Sequence, residues 1–273
     1  MKKDIKLIIC DIDNTIVMKH LNLSERMKRV ITELKKQGII FGLASGRSID
    51  DVKRGTKRWG FEEFDVIVGL NGSALWDGLT DERYHYYELK REWIKEIIDK
   101  MSIFENNIVM YRGDTFLCHH IDEQTKESAK AAEMEMVRPN DISEFYAEDN
   151  AKIMFRVKEE DMPRIEEYLN ANPSPYYAAF KTQSTMLEFA DRRVSKSYAL
   201  EKFCEFHNLP LENVMAMGDT TNDNTMLQAA GVGVCMCNGS EDTLAIADMI
   251  TDKTCNEDGC ADFLEKYFNL FQD

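Results

Sequence analysis

The chain has 273 residues, 34 Lys and Arg against 49 Asp and Glu, a net charge of −15, and 44% hydrophobic and 30% charged residues. That length can bury a full core and is read as two domains. The acidic balance excludes nucleic acid and an anionic membrane surface as partners, since both demand a basic face. An anionic substrate would need Lys, Arg or a metal ion to reverse the field locally. Seven cysteines, with Cys235 and Cys237 the closest pair and no zinc spacing, read as reduced thiols of a cytoplasmic protein. The apolar run at the N-terminus is too short for a signal peptide, and no stretch approaches a membrane span.

The first apolar run, Leu7-Ile8-Ile9-Cys10, reads as a buried strand ending in Asp11-Ile12-Asp13-Asn14-Thr15. Parallel α/β sheets bind ligands at the carboxyl ends of their strands. Two acids this close repel unless a cation or a shared proton separates them. Taken alone, the run fits a solvated acidic turn as well as it fits a cation site or a nucleophile and acid pair. An EF-hand is excluded, because Ile16 stands where that loop needs Gly and Asn22 where it needs Glu. Ser24 then caps a helix with Met27, Val30, Ile31 and Leu34 at i, i+3, i+4 and i+7, stopped by Gly38. A strand at 39–43 runs into Ala44-Ser45-Gly46-Arg47, a helix covers about 49–59, and a strand at 65–70 ends at Asn71-Gly72. This alternation predicts a parallel sheet with right-handed crossovers.

From about 80 to 190 the texture changes to an α+β block richer in charge and aromatics. Helices are predicted at 92–104, 124–136 and 162–169, a strand at 151–157, and hairpins from 108–111 with 115–119 and from 176–181 with 185–190. Arg112-Gly113-Asp114 is the turn of the first hairpin. Tyr84, Tyr86 and Tyr87 read as packing residues, and Arg112, His119, His120 and Lys181 as surface residues. Neighbours on a strand point to opposite faces, so the two histidines are not a metal pair.

The first texture then resumes. Ser195 caps a helix opened by Lys196 and carrying Ala199, Leu200, Phe203 and Cys204. A strand at 213–217 ends in Gly218-Asp219-Thr220-Thr221-Asn222-Asp223. A short helix around Met226 and Leu227 stops at Gly231, a strand at 232–236 lacks the third glycine of a dinucleotide fingerprint, and a packing helix closes the chain at 261–271.

In order and spacing, the Asp11–Thr15 run, Ser45, Lys196 and the 218–223 run resemble the four motifs of the haloacid dehalogenase superfamily phosphatases. Asn256-Glu257-Asp258-Gly259-Cys260-Ala261 resembles the Cof-type branch, subclass IIB with a C2-type cap. The resemblance implies a Rossmann-like parallel α/β core at 1–79 and 191–273. It places an inserted α+β cap at 80–190, which selects substrate and closes over the site. It also implies a Mg2+-dependent phosphatase working through an aspartyl-phosphate on a small phosphorylated metabolite, a sugar phosphate first, as a monomer or weak homodimer. Asp11 would be the nucleophile and Asp13 the general acid and base; spacing alone leaves that assignment open. Ser45 and Lys196 would hold the phosphoryl group. Asp11, Asp219 and the backbone carbonyl of Asp13 would hold Mg2+, with Asp223 binding through water or holding a ligand in place. Asn14, which replaces the glycine usual in this branch, joins Gly46, Arg47, Asn71 and Asn222 as candidate substrate contacts. Each has a plainer reading: Ser45 as a helix cap, Lys196 as a solvated first-turn lysine, 219–223 as an acidic helix start. The alternatives are a phosphosugar mutase, a non-catalytic metabolite-binding protein and a phosphoaspartate receiver. No arginine cluster supplies the mutase's second phosphate site, and length and Asp13 disfavour the receiver.

Overall fold

The computed structural model describes residues 3–18, 21–113 and 115–271. In chain order, the first elements are β1 (Leu7–Asp11), α1 (Glu25–Lys36), β2 (Ile40–Ala44), α2 (Ile49–Arg58), β3 (Val66–Gly69), a single 3-10 turn at Leu70–Gly72, β4 (Ala74–Asp77) and β5 (Glu82–His85). Next come α3 (Arg91–Met101), β6 (Asn106–Arg112), β7 (Thr115–Cys118), α4 (Glu123–Ala132), β8 (Glu135–Val137), β9 (Lys152–Val157), α5 (Met162–Ala171), β10 (Tyr177–Gln183) and β11 (Met186–Asp191). The last are α6 (Lys196–Phe206), β12 (Val214–Gly218), α7 (Asn224–Ala229), β13 (Val232–Cys235), α8 (Glu241–Ile246), β14 (Met249–Ile250) and α9 (Gly259–Phe268).

Two compact units result, Met1–Tyr86 with Ser195–Asp273, and Tyr87–Val194. The first is built on an eight-stranded sheet of order β14-β13-β12-β1-β2-β3-β4-β5. Its strands from β14 to β3 are parallel, as the strand–helix alternation predicts, and β4 and β5 continue it as antiparallel edge strands. Those two strands were not foreseen. They carry the sheet past residue 80, so the chain leaves this unit after Tyr86 and re-enters it at Ser195. The second unit has a six-stranded sheet of order β10-β11-β9-β6-β7-β8, antiparallel except for the β7–β8 pair. The helix expected over 124–136 stops early: Glu133 turns left-handed (φ 53), and the next residues pair with β7 as β8. The tip residue Asp114 of the predicted hairpin lies outside the described residues.

Strand periodicity sorts the first unit's core into two layers. On β1, Ile8 and Cys10 face α1, whose Met27, Val30, Ile31 and Leu34 are buried, as the i, i+3, i+4, i+7 spacing requires. Leu7 and Ile9 face the opposite layer, filled by Ala199, Leu200 and Phe203 of α6 with Met226 and Leu227 of α7. Ser24 Oγ accepts the Met27 N–H at 3.0 Å, which starts α1 where the sequence predicts it. All seven cysteines are free, and all but Cys237 are buried. Among the described residues, no helix is long and apolar enough to cross a membrane.

Candidate active site

Strand β1 pairs in parallel with β2 on one side and β12 on the other, so the chain order reverses at β1. In α/β sheets such a switch point opens a crevice at the strands' carboxyl ends. β1, β2 and β12 end there in Asp11, Ala44 followed by Ser45, and Gly218 followed by Asp219. Residues far apart in sequence meet because three adjacent strands stop at one level.

Asp11 has the parity of Leu7 and Ile9, so it points to the α6 layer. Lys196, the first residue of α6, meets it from that side. Its Nζ donates to Asp11 Oδ1 at 2.6 Å and to Asp223 Oδ1 at 2.6 Å. A lysine in a first helical turn is usually solvated; Lys196 is 0% exposed. Burial alone would pull its pKa down, but the two carboxylates outweigh that and raise it. Asp223 is also buried, and its Oδ2 accepts the backbone N–H groups of Asp219 (3.0 Å) and Thr220 (3.2 Å). It therefore serves both as the expected cap of the loop and as an ion partner. Thr15 Oγ1 donates to Asp219 Oδ1 at 3.2 Å.

Oxygens of Asp11, Asp219 and Asp223 lie within 4.8 Å of one another. Burial, then repulsion from Asp223, pushes the Asp219 carboxyl up to about 7. Burial also raises Asp11 well above its ordinary value; Lys196 opposes this, and Asp223 and Asp219 add to it. Three carboxylates share one ammonium here, and a hard divalent cation binds just such a set of oxygens. The donor set fits Mg2+ on that ground. A cation would also bring Asp11 back toward the ionised form a nucleophile needs.

Asp13 sits two residues beyond, on a turn closed by Asn14 N–H donating to Val17 O (2.8 Å). Asn14 has a left-handed φ of 63, which asparagine tolerates in place of glycine. The carbonyl of Asn14 accepts from Asn238 Nδ2 at 3.1 Å. Asp13 is gripped by Arg47, with Nη2 at 2.6 and 2.8 Å from its two oxygens and Nε at 3.2 Å. Asp11 thus faces Lys196, and Asp13 faces Arg47.

Ser45 is buried; its N–H continues the sheet to Val68 O (2.8 Å), and its Oγ accepts the Arg47 N–H at 3.2 Å. It is not the cap of α2, because Ser48 holds that place, accepting the Asp51 N–H at 3.2 Å. Gly46 packs on Asn71, and Asn71 Oδ1 accepts from Asn222 Nδ2 at 3.1 Å. The predicted set therefore gathers within one unit. Three contributors were missed. Thr15 stood in the quoted motif without a role. Asn238 lies far downstream with no local signal. Gly218 is required because a Cβ there would stand 2.5 Å from Asp223 Cβ and Cγ.

The chain belongs to the haloacid dehalogenase-like hydrolases, whose sequence profile matches residues 8–264. It is a phosphoric monoester hydrolase, and its curated relatives carry phosphatase names. It is 28% identical to 5-amino-6-(5-phospho-D-ribitylamino)uracil phosphatase YitU of Bacillus subtilis, over 97% of this chain and 98% of that enzyme. It is 26% identical to a second such phosphatase of that organism, YcsE, over 94% of each chain. Among solved structures it resembles a haloacid dehalogenase-like hydrolase from Bacteroides thetaiotaomicron, with a TM-score of 0.83 and 25% identity, covering 96% of this chain and 99% of that one.

Proposed function

We propose that this protein is a Mg2+-dependent phosphatase that hydrolyses phosphomonoesters of small sugar-like metabolites through an aspartyl-phosphate on Asp11. The observation that carries the reading is the buried Lys196, which bridges Asp11 and Asp223 next to Asp219. Asp11 attacks phosphorus, and the Asp11–phosphorus bond forms as the bond to the leaving oxygen breaks. Asp13 acts as the general acid, giving a proton to the leaving oxygen. It then takes a proton from the water that hydrolyses the acyl phosphate, which releases phosphate and restores Asp11. Arg47 holds the Asp13 carboxylate in place between these events. Asp11, Asp219 and Asp223, with the carbonyl of Asp13, would hold Mg2+, which when bound neutralises charge on the phosphoryl oxygens. The second unit, Tyr87–Val194, would supply substrate selectivity.

The names of the two Bacillus relatives favour a phosphate on a polyhydroxylated chain, since both describe a phosphorylated ribityl compound. The test is phosphate release from p-nitrophenyl phosphate and a panel of hexose, pentose and ribityl phosphates. Wild type and Asp11→Asn are each assayed with Mg2+ and with EDTA. Turnover lost in EDTA and in the variant is expected. Turnover that survives Asp11→Asn overturns the assignment of the nucleophile, and turnover unaffected by EDTA overturns the metal.

A further inference from the structure

The turn at Leu70–Gly72 touches the Ser45–Arg47 loop, the Asp219–Asp223 loop and the start of α6, yet it contributes no acid, base or cation. Its backbone is left-handed throughout, with φ of 51, 55 and 107 at Leu70, Asn71 and Gly72. Such a run persists only where its surroundings over-determine it. Leu70 N–H donates to Arg47 O (2.8 Å) and Asn71 N–H to Ser45 O (3.0 Å), so both ends of the Ser45-Gly46-Arg47 loop are tied to it. The Asn71 carboxamide lies against Gly46: a Cβ there would be 3.3 Å from its Oδ1 and 3.4 Å from its Nδ2. The same Oδ1 accepts from Asn222, in the loop that carries Asp219 and Asp223. Gly72 presses on Ser195, where a Cβ would be 1.9 Å from the carbonyl oxygen just before Lys196.

We propose that Asn71 is a positioning residue. Its carboxamide clamps the Ser45–Arg47 loop to the Asp219–Asp223 loop, and so fixes the site of the phosphoryl group without touching the substrate. The catalytic consequence rests on the phosphatase reading; the clamp itself does not. A side chain that sets the phosphoryl site acts on every ester alike, whereas one that contacts the leaving group acts on each differently. Displacing a loop by a fraction of an ångström is felt in the transition state more than in substrate binding.

The test uses the full chain with Asn71→Gly, Asn222→Ala and the double variant. Glycine keeps the left-handed backbone and removes only the carboxamide. The expected result is a fall in kcat of about tenfold with KM changed less than about twofold, by one common factor on p-nitrophenyl phosphate and on a hexose phosphate. The double variant should be no slower than the worse single one, because both substitutions cut the same link. Hydrogen exchange without substrate should quicken in Asn71→Gly at 45–47 and at 219–223 together. A factor that differs between esters, or a loss in KM alone, overturns the proposal in favour of direct substrate contact. Exchange unchanged at both segments overturns the clamp. If wild type hydrolyses no ester, the phosphatase reading fails by itself and the exchange result still decides the clamp.

Discussion

Replacing Asp219 by Asn should stabilise the metal-free protein while abolishing its metal site. Asp219 is 8% exposed, and burial with its neighbour Asp223 moves its carboxyl from an ordinary 3.8 to about 7. The unfolded chain loses that proton near pH 4, while the folded one keeps it to about pH 7. Between those values the folded state binds more protons, so metal-free stability falls as pH rises. Below pH 4 the group costs nothing; above pH 7 the full cost is present. Three pH decades at about 1.4 kcal/mol each give about 4 kcal/mol. Asparagine keeps the shape and an oxygen for the Thr15 hydroxyl, and it carries no charge. Urea unfolding in EDTA should therefore show Asp219→Asn gaining on wild type from pH 5 to pH 8, toward about 4 kcal/mol. Adding Mg2+ should reverse the order, since only wild type binds the ion well. A difference in EDTA that does not change between pH 5 and pH 8, or a variant less stable at pH 8, would refute the reasoning.

Lys196→Met removes the ammonium that Asp11 and Asp223 share. Stranding a buried charge costs about 3–5 kcal/mol at neutral pH. The deficit should shrink at pH 5 as acid neutralises Asp11, whose carboxyl is held above its ordinary value, and turnover should be lost; a deficit equal at both pH values in urea melts argues against the ion triad. Gly218→Ala would push a Cβ to 2.6 Å from Asp223 Oδ2, the oxygen that organises the Asp219 loop. It should cost about 1–3 kcal/mol of stability and weaken Mg2+ binding by titration calorimetry; unaltered Mg2+ affinity would show that the loop does not depend on that fit.

Much of the first unit was legible. The strands ending in Asp11, Ser45 and Asp219 are short apolar runs, and the helix at Ser24 has a cap and a clean period. The antiparallel extension was not: Ala74–Asp77 and Glu82–His85 are four-residue strands on a sheet edge, too short to show a period. The helix over 124–136 was overextended because Ala- and Glu-rich segments favour helix, while pairing with β7 decided the fate of its last residues.

The sequence by itself determined which chemical groups are present and which sit at strand ends, because those facts depend on local pattern and spacing. Only the tertiary structure decided the pairings. Arg47 reaches Asp13 across 34 residues, and Lys196 reaches Asp11 across 185. Strand order brought those segments together, and strand parity turned Asp11 toward α6. Local pattern carries neither the order in which strands align nor the burial that makes a lysine and three carboxylates answer to one another. Those follow from the packing of the whole sheet, where removing water from charges makes each partner obligatory.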